Sequence, residues 1–298
     1  MEKLLFTGAS GFLGSNILPL LKEHYKVVTA GPKEQDDILI DLSKSVPILK
    51  ESYDVILHAA GKAHIVPNTP EEIQSFYDVN YGGTVNLCAG LEKVGVPKSF
   101  IFISTLSVYG IDNGDNVTEE FPLKGESPYA KSKIMAEEYL QTWCKKHNVI
   151  LTIFRPSLLA GKNAPGNLKA MIHGIKTGAY LSIAGGKAHK SMLMASDIAR
   201  LIVLAENKGG TYNICDSHHP TFGELEISIS KQLGKRKPLS IPYCLAKCIA
   251  LFGDLIGPKF PLNSARLVKI VSSDTYSNEK AKRILAWEPL DVISNYQI

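Results

Sequence analysis

The chain has 298 residues, of which 45% are hydrophobic and 21% are charged. This length and composition are those of a globular protein with one large domain, or with a large domain and a smaller one. The formal charge of +4, from 33 basic and 29 acidic residues, is too small and too evenly spread to predict a nucleic-acid-binding surface. A mildly basic cleft for a phosphorylated ligand is compatible with these totals.

The longest uncharged stretch near the N-terminus, residues 4–21, contains three glycines, Pro19 and several hydroxyl side chains, so we expect neither an export signal nor a membrane span. The five cysteines are odd in number and form no Cys-x-x-Cys pair. Cys244 and Cys248 would share a helical face, but no second pair of ligands follows, so we expect no metal site. Free thiols in a reducing cytoplasm are the simplest interpretation.

Short apolar runs in the first half of the chain predict buried strands at residues 3–6, 26–30, 55–58, 99–104 and 151–154. Amphipathic helical patterns separate them. This alternation predicts an α/β fold in which helices cover both faces of a doubly wound parallel sheet. Most of the runs end in glycine-rich or polar turns, which should converge where ligands bind, at the carboxyl edge of the sheet.

The pattern loosens after Gly161, so we assign residues 1–161 to a dinucleotide-binding domain and 162–298 mainly to a substrate-binding lobe. Residues 191–216, approximately, should return to the sheet, through a helix capped by Ser196 and a strand at 211–214. A further helix is expected at 168–177. Residues 242–256 predict an amphipathic helix packed on the lobe.

Three glycines stand three residues apart directly after the first predicted strand, at Gly8, Gly11 and Gly14. A strand that turns sharply into a helix needs glycine where the backbone is strained, where it approaches a pyrophosphate, and where helix and strand pack closely. Free amides at the helix start favour a phosphate anion. Any tight turn of this kind can use glycines, so the motif alone is weak evidence.

The end of the second predicted strand bears on the choice of cofactor. An acidic residue there would hold the adenosine ribose of NAD, but residues 29–33 contain none. Lys33 could instead contact a ribose phosphate, so the sequence slightly favours NADP(H) over NAD(H). The alternative is that Lys33 is an ordinary exposed loop lysine.

Tyr129 and Lys133 are one helical turn apart, so both side chains can project from the same helix face. A tyrosine has a pKa of about 10 in water, too high for efficient proton exchange at neutral pH, and a nearby ammonium group favours the phenolate. We therefore expect Lys133 to lower the pKa of Tyr129 and to hold the cofactor ribose. The same spacing is common on exposed helices, so its meaning depends on the neighbouring motifs.

Together with the segment 104–110 (Ser-Thr-Leu-Ser-Val-Tyr-Gly), the glycine turn and the tyrosine–lysine pair resemble the extended short-chain dehydrogenase/reductase family, in its nucleotide-sugar epimerase and dehydratase branch. The resemblance covers essentially the whole chain, to residues 280–289. It implies a Rossmann-like sheet with a smaller C-terminal α+β substrate lobe. It also implies a catalytic set of Thr105, Tyr129 and Lys133, although Thr105 could merely cap its own turn.

The resemblance implies contacts along the predicted cleft, and the missing acid at the end of the second predicted strand adds Lys33 to them. The expected cofactor-binding residues are Gly8, Ser10, Gly11, Phe12, Leu13, Gly14, Lys33, Asp41, Leu42, Ala59, Ala60, Gly61, Asn80, Ser104, Tyr129, Lys133 and Pro156. The expected substrate-binding residues are His64, Ser107, Asn167 and Lys190. The alternative for His64 is a loop histidine with nothing bound, and Lys190 lacks the bidentate fork of the arginine usual in relatives.

The resemblance also narrows the reaction. Relatives that dehydrate sugars have an Asp-Glu pair directly after the threonine, but this chain has Leu106 and Ser107, so dehydration is disfavoured. We expect a 4-ketoreductase of a UDP-N-acetyl-6-deoxy sugar, with a UDP-sugar 4-epimerase as the alternative. A catalytically inactive NAD(P)-sensing or structural relative stays open from the fold alone. Relatives commonly dimerise through helices matching residues 86–93 and 129–146, so we expect a homodimer.

Overall fold

A computed structural model describes residues 1–63, 65–257, 260 and 262–298. The strands are β1 (Lys3–Thr7), β2 (Lys26–Gly31), β3 (Ile38–Leu39), β4 (Val55–His58), β5 (Ser99–Ile103), β6 (Gly114–Val117), β7 (Ile150–Pro156), β8 (Leu158–Ala160), β9 (Ser182–Ile183), β10 (Met192–Met194), β11 (Gly210–Ile214), β12 (Ser240–Ile241) and β13 (Asp274–Tyr276). The α-helices are α1 (Phe12–Leu21), α2 (Pro70–Tyr77), α3 (Gly83–Val94), α4 (Pro128–His147), α5 (Gly166–Thr177), α6 (Ala195–Ala205), α7 (Phe222–Gln232), α8 (Tyr243–Ile256), α9 (Ser264–Val271), α10 (Glu279–Leu285) and α11 (Val292–Asn295).

Seven strands form one parallel sheet in the order β11-β7-β5-β4-β1-β2-β3. The reversal of strand order beside β1 is the feature of a doubly wound, Rossmann-like sheet that creates a crevice at the carboxyl edge. Thr7 pairs with His58, and Ile103 pairs with Phe154, so the ends of β1, β4, β5 and β7 lie side by side. The predicted α/β fold class and its convergent strand ends are confirmed.

The two faces of the sheet bury separate apolar clusters because side chains alternate along each strand. On β1, Leu4 and Phe6 pack in the cluster that includes helices α1 and α6, whereas Leu5 packs in the cluster with α3 and α4. The C-terminal Trp287 joins the first cluster and is 1% exposed. Helices therefore cover both faces of the sheet. Their packing holds the strand ends that form the crevice in fixed positions.

The C-terminal part of the chain builds smaller units around this sheet. Helices α5, α7 and α11 share one apolar cluster, and β11 joins the main sheet as its edge strand. Strand β10 pairs with β8 instead, in a separate two-stranded sheet. The expected capping role of Ser196 is wrong, because α6 begins at Ala195 with Met194 as its cap residue. Within the described residues, no helix is both long and apolar enough to cross a bilayer.

Candidate active site

The glycine turn lies between β1 and α1, and its three glycines have different surroundings. Gly8 has φ +84°, and a Cβ there would lie 2.6 Å from the backbone nitrogen of Ala60. A Cβ at Gly14 would overlap the carbonyl oxygens of Gly8 and Ala9. Gly11 is exposed and caps α1 without any side-chain hydrogen bond to the first turn. Gly8 and Gly14 therefore permit close packing, whereas Gly11 leaves the helix amides accessible to an anion.

An acidic side chain does lie at the tip of β2, contrary to the expectation from residues 29–33. The carboxylate of Asp36 accepts a 3.1 Å hydrogen bond from the backbone nitrogen of Lys33, and a Cβ at Gly31 would lie 2.5 Å from Asp36 Oδ2. Asp36 is 8% exposed, whereas Lys33 is exposed. A turn from Lys33 to Asp36 folds this carboxylate back to the strand end, and that turn was not evident in the sequence.

Lys133 lies at the carboxyl edge of the sheet, on α4. Its Nζ donates a 2.9 Å hydrogen bond to the carbonyl of Ile103, at the end of β5, and lies 4.6 Å from the centroid of the Phe102 ring. A Cβ at Gly61 would lie 3.2 Å from the same Nζ, so glycine there allows the amine to approach the loop after β4. Burial lowers the pKa of Lys133 to about 8, although the nearby Glu137 carboxylate acts in the opposite direction.

Tyr129, in the first turn of α4, interacts with Thr105 at the end of β5, whose hydroxyl donates a 3.2 Å hydrogen bond to Ser107 Oγ. Burial raises the pKa of Tyr129, and the hydrogen bond from Thr105 lowers it in part. The expectation that Lys133 lowers the pKa of Tyr129 is therefore wrong, because burial raises this pKa and the contribution that lowers it comes from Thr105. Thr105 Oγ also accepts a 3.1 Å hydrogen bond from the nitrogen of Ser107, so it caps the following turn as well.

Asn80 holds the loop that passes beneath Lys133. Its Oδ1 accepts a 2.7 Å hydrogen bond from the nitrogen of Lys62, and its Nδ2 donates to the Lys62 carbonyl at 3.2 Å and to Ser132 Oγ at 2.9 Å. Asn80 is fully buried in a π-helical turn, Asp78–Gly82, between α2 and α3. The side chain of Asn80, which was expected to contact the cofactor, thus forms hydrogen bonds that hold this loop against α4.

Sequence reasoning missed a buried polar network behind the site. Arg155, one residue before the end of β7, donates to Glu137 Oε2 at 2.6 Å and to the Tyr109 hydroxyl at 2.8 Å. Ser104 donates its hydroxyl to Glu137 Oε1, and Tyr109 donates to Asn213 on β11 at 2.7 Å. Glu137 follows Lys133 by one helical turn, and this spacing was the available signal. The network ties α4 to three neighbouring strand ends.

His58 at the end of β4 is a second buried polar residue to which the sequence analysis gave no role of its own. Its Nδ1 lies 2.6 Å from Thr7 Oγ and its Nε2 lies 3.0 Å from Thr84 Oγ, so the ring bridges β1 and α3. Burial lowers the pKa of His58 to about 3, with the charge of Lys133 as the smaller cause. The imidazole is therefore neutral at physiological pH and acts as a structural bridge.

The other expected site residues fall in different places. Asp41 accepts hydrogen bonds from Ser43, which lowers its pKa, and Asn167 is exposed in the first turn of α5. Lys190 forms a 2.5 Å ion pair with Asp274, so its charge is already partly neutralised. His64 lies outside the described residues. The contacts with cofactor or substrate that are expected of Ser10, Phe12, Leu13, Leu42, Ala59, Ala60, Pro156 and Ser107 stay predictions.

The crevice fits a nicotinamide dinucleotide by its own geometry. Gly8 and Gly14 sit where any side chain would collide with backbone, and exposed Gly11 stands before free helix amides. The Asp36 carboxylate lies at the adjacent strand tip, where a ribose hydroxyl would find an acceptor. Lys133 lies on the other side of the crevice, near Gly61. The glycine turn could thus accept the pyrophosphate, Asp36 one ribose and Lys133 the second ribose.

Comparisons with known proteins agree with this arrangement. A family model described as NAD dependent epimerase/dehydratase family matches residues 4–215. An N-acetyl-α-D-glucosaminyl-diphospho-ditrans,octacis-undecaprenol 4-epimerase from Escherichia coli O157:H7 is 28% identical, over 94% of this chain and 88% of its own length. A UDP-glucose 4-epimerase from Vibrio cholerae is 27% identical, over 97% and 91% respectively.

The fold is also similar to that of solved structures. UDP-glucose 4-epimerase from Thermotoga maritima, solved with UDP-glucose, superimposes with a TM-score of 0.74. The comparison covers 98% of this chain and 95% of that one at 21% identity, which establishes similarity of the fold alone.

Proposed function

Because the chain belongs to the NAD dependent epimerase/dehydratase family, we propose that it is a 4-epimerase of a glucose-type sugar carried on a diphosphate. The observation that carries the proposal is the interaction of the Thr105 and Tyr129 side chains, with Lys133 one turn further along the same helix and bound to the carbonyl of Ile103. Leu106 and Ser107 follow Thr105 where a dehydratase needs an acid and a base. Thr105, Tyr129 and Lys133 can instead support transfer of hydride at one sugar carbon together with transfer of a proton at the oxygen bound to that carbon.

Each residue of the site has a separate role in the proposed reaction. A nicotinamide dinucleotide held by the glycine turn, Asp36 and Lys133 would supply the hydride chemistry at the sugar carbon. Thr105 orients the sugar oxygen by a hydrogen bond, and Tyr129 exchanges the proton with that oxygen. Since burial raises the pKa of Tyr129, the phenol is protonated at neutral pH and is ready to protonate the oxygen of a 4-keto sugar as it is reduced. Lys133 holds its positive charge nearby and would contact the ribose.

The substrate is inferred from what two relatives share. One is named for a sugar on UDP and the other for a sugar on undecaprenyl diphosphate, so a glucose-type ring and a diphosphate are common to both. We infer that this chain recognises the same two groups. Lys190 and Asn167 would bind near the diphosphate, although Lys190 would have to share its charge with Asp274.

For the cofactor we propose NAD(H) in preference to NADP(H), which reverses the slight preference expected from sequence. The carboxylate of Asp36 would accept a hydrogen bond from a ribose hydroxyl, and it would repel a phosphate group at the same position. Lys33 is exposed and could turn towards a phosphate, but its backbone nitrogen is the group that holds Asp36.

A second candidate is the 4-ketoreductase expected from sequence. It is favoured by the raised pKa of Tyr129, which suits a phenol that only donates protons. The two functions differ in what happens to the cofactor. An epimerase regenerates its cofactor in each cycle, whereas a reductase consumes one reduced cofactor for each sugar.

The test is incubation of the purified chain with NAD and one sugar substrate at a time. The substrates are UDP-glucose, UDP-N-acetylglucosamine and polyprenyl-diphosphate N-acetylglucosamine. Formation of the C4 epimer, detected by NMR without net change in NADH absorbance, is the expected result. Tyr129→Phe should lower turnover by ~100- to 10,000-fold, because it removes one positioned acid-base group. Tyr139→Phe, on the same helix but packed against Tyr81, is the matched control and should keep its activity.

Two results would contradict the proposal. Stoichiometric oxidation of NADH or NADPH by a 4-keto sugar, without epimer formation from the substrates above, would establish the reductase instead. Wild-type turnover by Tyr129→Phe would remove the phenol from the mechanism.

A further inference from the structure

Helix α8 presents small residues to the protein and large ones outward. Its buried residues are Ala246, Ala250 and Gly253, and their helical spacing marks the inner face. They pack beside Leu267 of α9, and a Cβ at Gly253 would overlap the carbonyl of Leu262. The close approach of the helix backbone to this neighbouring segment explains why small residues point inward. The amphipathic helix expected at 242–256 is present as Tyr243–Ile256 and packs against α9, through its small residues.

The outward face of α8 is apolar across its whole width. With 3.6 residues per turn, the exposed apolar side chains fall on one continuous strip, and Lys247 and Asp254 both lie along one edge of it. Leu255 is 86% exposed and Phe252 is 59% exposed, although scattered single leucines on a surface need no explanation. The strip, here called the α8 face, consists of Cys244, Leu245, Cys248, Leu251, Phe252, Leu255 and Ile256.

Positive charge is concentrated in the stretch of sequence that contains α8. Residues 231–272 contain eight basic residues and one acidic residue, a net charge of +7, whereas the whole chain has +4. The rest of the chain is thus net negative, by three charges, and the expected even spread is wrong. The single acid, Asp254, accepts hydrogen bonds from Ser264. Among the described residues, Lys235, Arg236, Lys237, Lys247 and Lys269 are exposed.

We propose that the α8 face binds the surface of an anionic lipid bilayer. An amphipathic helix with an apolar face and flanking cations is the combination that lies in the interface between lipid headgroups and acyl chains. The apolar strip would enter the acyl boundary, while the cations meet the negative headgroups. At 14 residues α8 is about 21 Å long, shorter than a bilayer core of about 30 Å, so it would lie along the surface.

A second copy of the chain is the competing occupant, and the charge distribution argues against it. In a symmetric dimer the same patch meets itself, so two segments of net charge +7 would face each other. A bilayer with anionic lipids supplies an apolar layer and the opposite charge together. This inference is independent of the reaction proposed above, since it rests on residues outside the crevice.

The test is sedimentation of the full chain with vesicles of phosphatidylcholine, either pure or containing about one-third phosphatidylglycerol. We expect binding to the anionic vesicles, and loss of that binding in Leu255→Glu. Ile48→Glu is the matched control, because Ile48 is 87% exposed and far from α8 in sequence. Replacing Lys235 and Lys237 by glutamine should weaken binding about fivefold for each cation.

A second measurement places the contact directly. The fluorescence of a Phe252→Trp variant should shift to shorter wavelength when anionic vesicles are added, because the indole would leave water. Failure of the wild-type chain to bind either vesicle would overturn the proposal. So would a dimer, measured by light scattering, that Leu255→Glu dissociates while vesicles have no effect. Circular dichroism confirms that each variant is folded before binding is compared.

Discussion

At the scale of single residues, Lys133 has the most constrained environment in the crevice. Its amine is buried, is bound to the Ile103 carbonyl and lies over the Phe102 ring. Removal from water disfavours the charged form, which is why burial brings its pKa to about 8. An amine that titrates so close to physiological pH makes activity sensitive to alkaline conditions.

We predict that turnover falls as pH rises through about 8, because Lys133 loses its proton there and with it the positive charge beside the crevice. The measurement is a pH–rate profile at saturating substrate. Lys133→Arg keeps a cation at all accessible pH values and should lose the alkaline limb. Lys131→Arg, on the exposed side of the same helix, should keep it. An alkaline limb that persists in Lys133→Arg would assign the titration to another group.

A second residue-scale prediction concerns Asp36. Its carboxylate should favour NADH, so Asp36→Ala should raise the ratio of NADPH to NADH affinity at least about tenfold, since a hydrogen bond to a charged group contributes ~1.5–3 kcal/mol. Binding is measured by titration of protein fluorescence with each cofactor. Glu34→Ala, an exposed acid in the same loop, is the control. An unchanged ratio in Asp36→Ala would show that this carboxylate does not contact the ribose.

At the scale of residues, the sequence predicted which side chains share a helix face better than it predicted the environment of each side chain. The spacing of Tyr129 and Lys133 follows from helix geometry, and their shared helix face was therefore predictable. The position of Asp36 was not predictable, because a turn of four residues returns it to the strand end and such a turn leaves no periodic pattern. The direction of the Tyr129 pKa was also not predictable, since it depends on burial by groups distant in sequence.

At the scale of elements, the junction of β1 with α1 separates two kinds of glycine. We predict that Gly11→Val abolishes dinucleotide binding with little loss of stability, because the position is exposed and meets only the Gly8 carbonyl, at 3.2 Å from a new Cβ. Gly14→Ala should instead destabilise the fold, because its Cβ would overlap backbone. Thermal unfolding and cofactor titration of both variants distinguish the two effects. Unchanged cofactor affinity in Gly11→Val would refute the assigned phosphate position.

The buried pair of Glu137 and Arg155 joins α4 to β7. We predict that Glu137→Ala lowers the free energy of unfolding by ~3–5 kcal/mol, because it leaves a buried guanidinium without its carboxylate. Lys44→Ala, which breaks an exposed pair with Asp41, should cost no more than ~1 kcal/mol. Denaturant titration measures both. A loss below ~1 kcal/mol in Glu137→Ala would mean that water or another group replaces the carboxylate.

Elements were predictable where a pattern was periodic and ambiguous where two faces competed. Six of the seven strands of the main sheet were predicted, from short apolar runs and from the strand pattern at 211–214, whereas the two-residue β3 was not. Helices α5 and α8 were predicted from helical spacing. Periodicity could not reveal which face of α8 meets the protein, because Ala246, Ala250 and Gly253 pack inward by backbone proximity. Nor could it reveal that β10 pairs with β8, since a three-residue strand has no distinguishing pattern.

At the scale of the whole molecule, the crevice at the edge of the main sheet and the cationic segment are formed by different parts of the sequence. The crevice draws on residues before position 160, whereas the cationic segment lies at 231–272. The expected homodimer through α3 and α4 stays a prediction, and it would leave the α8 face available on each copy. Catalysis and attachment to a surface would then depend on different parts of the chain.

The strand order has a consequence for how the chain reaches its native state. Leu4 pairs with Val55, Ser99 with Ile150 and Gly210 with Thr152, so each of these ladders joins segments about fifty residues apart. Each such contact closes a long loop before any hydrogen bond compensates for it. Refolding should therefore be slow, and it should expose unpaired strand edges for long enough to associate. Dilute protein and low temperature during refolding would be needed to recover the crevice intact.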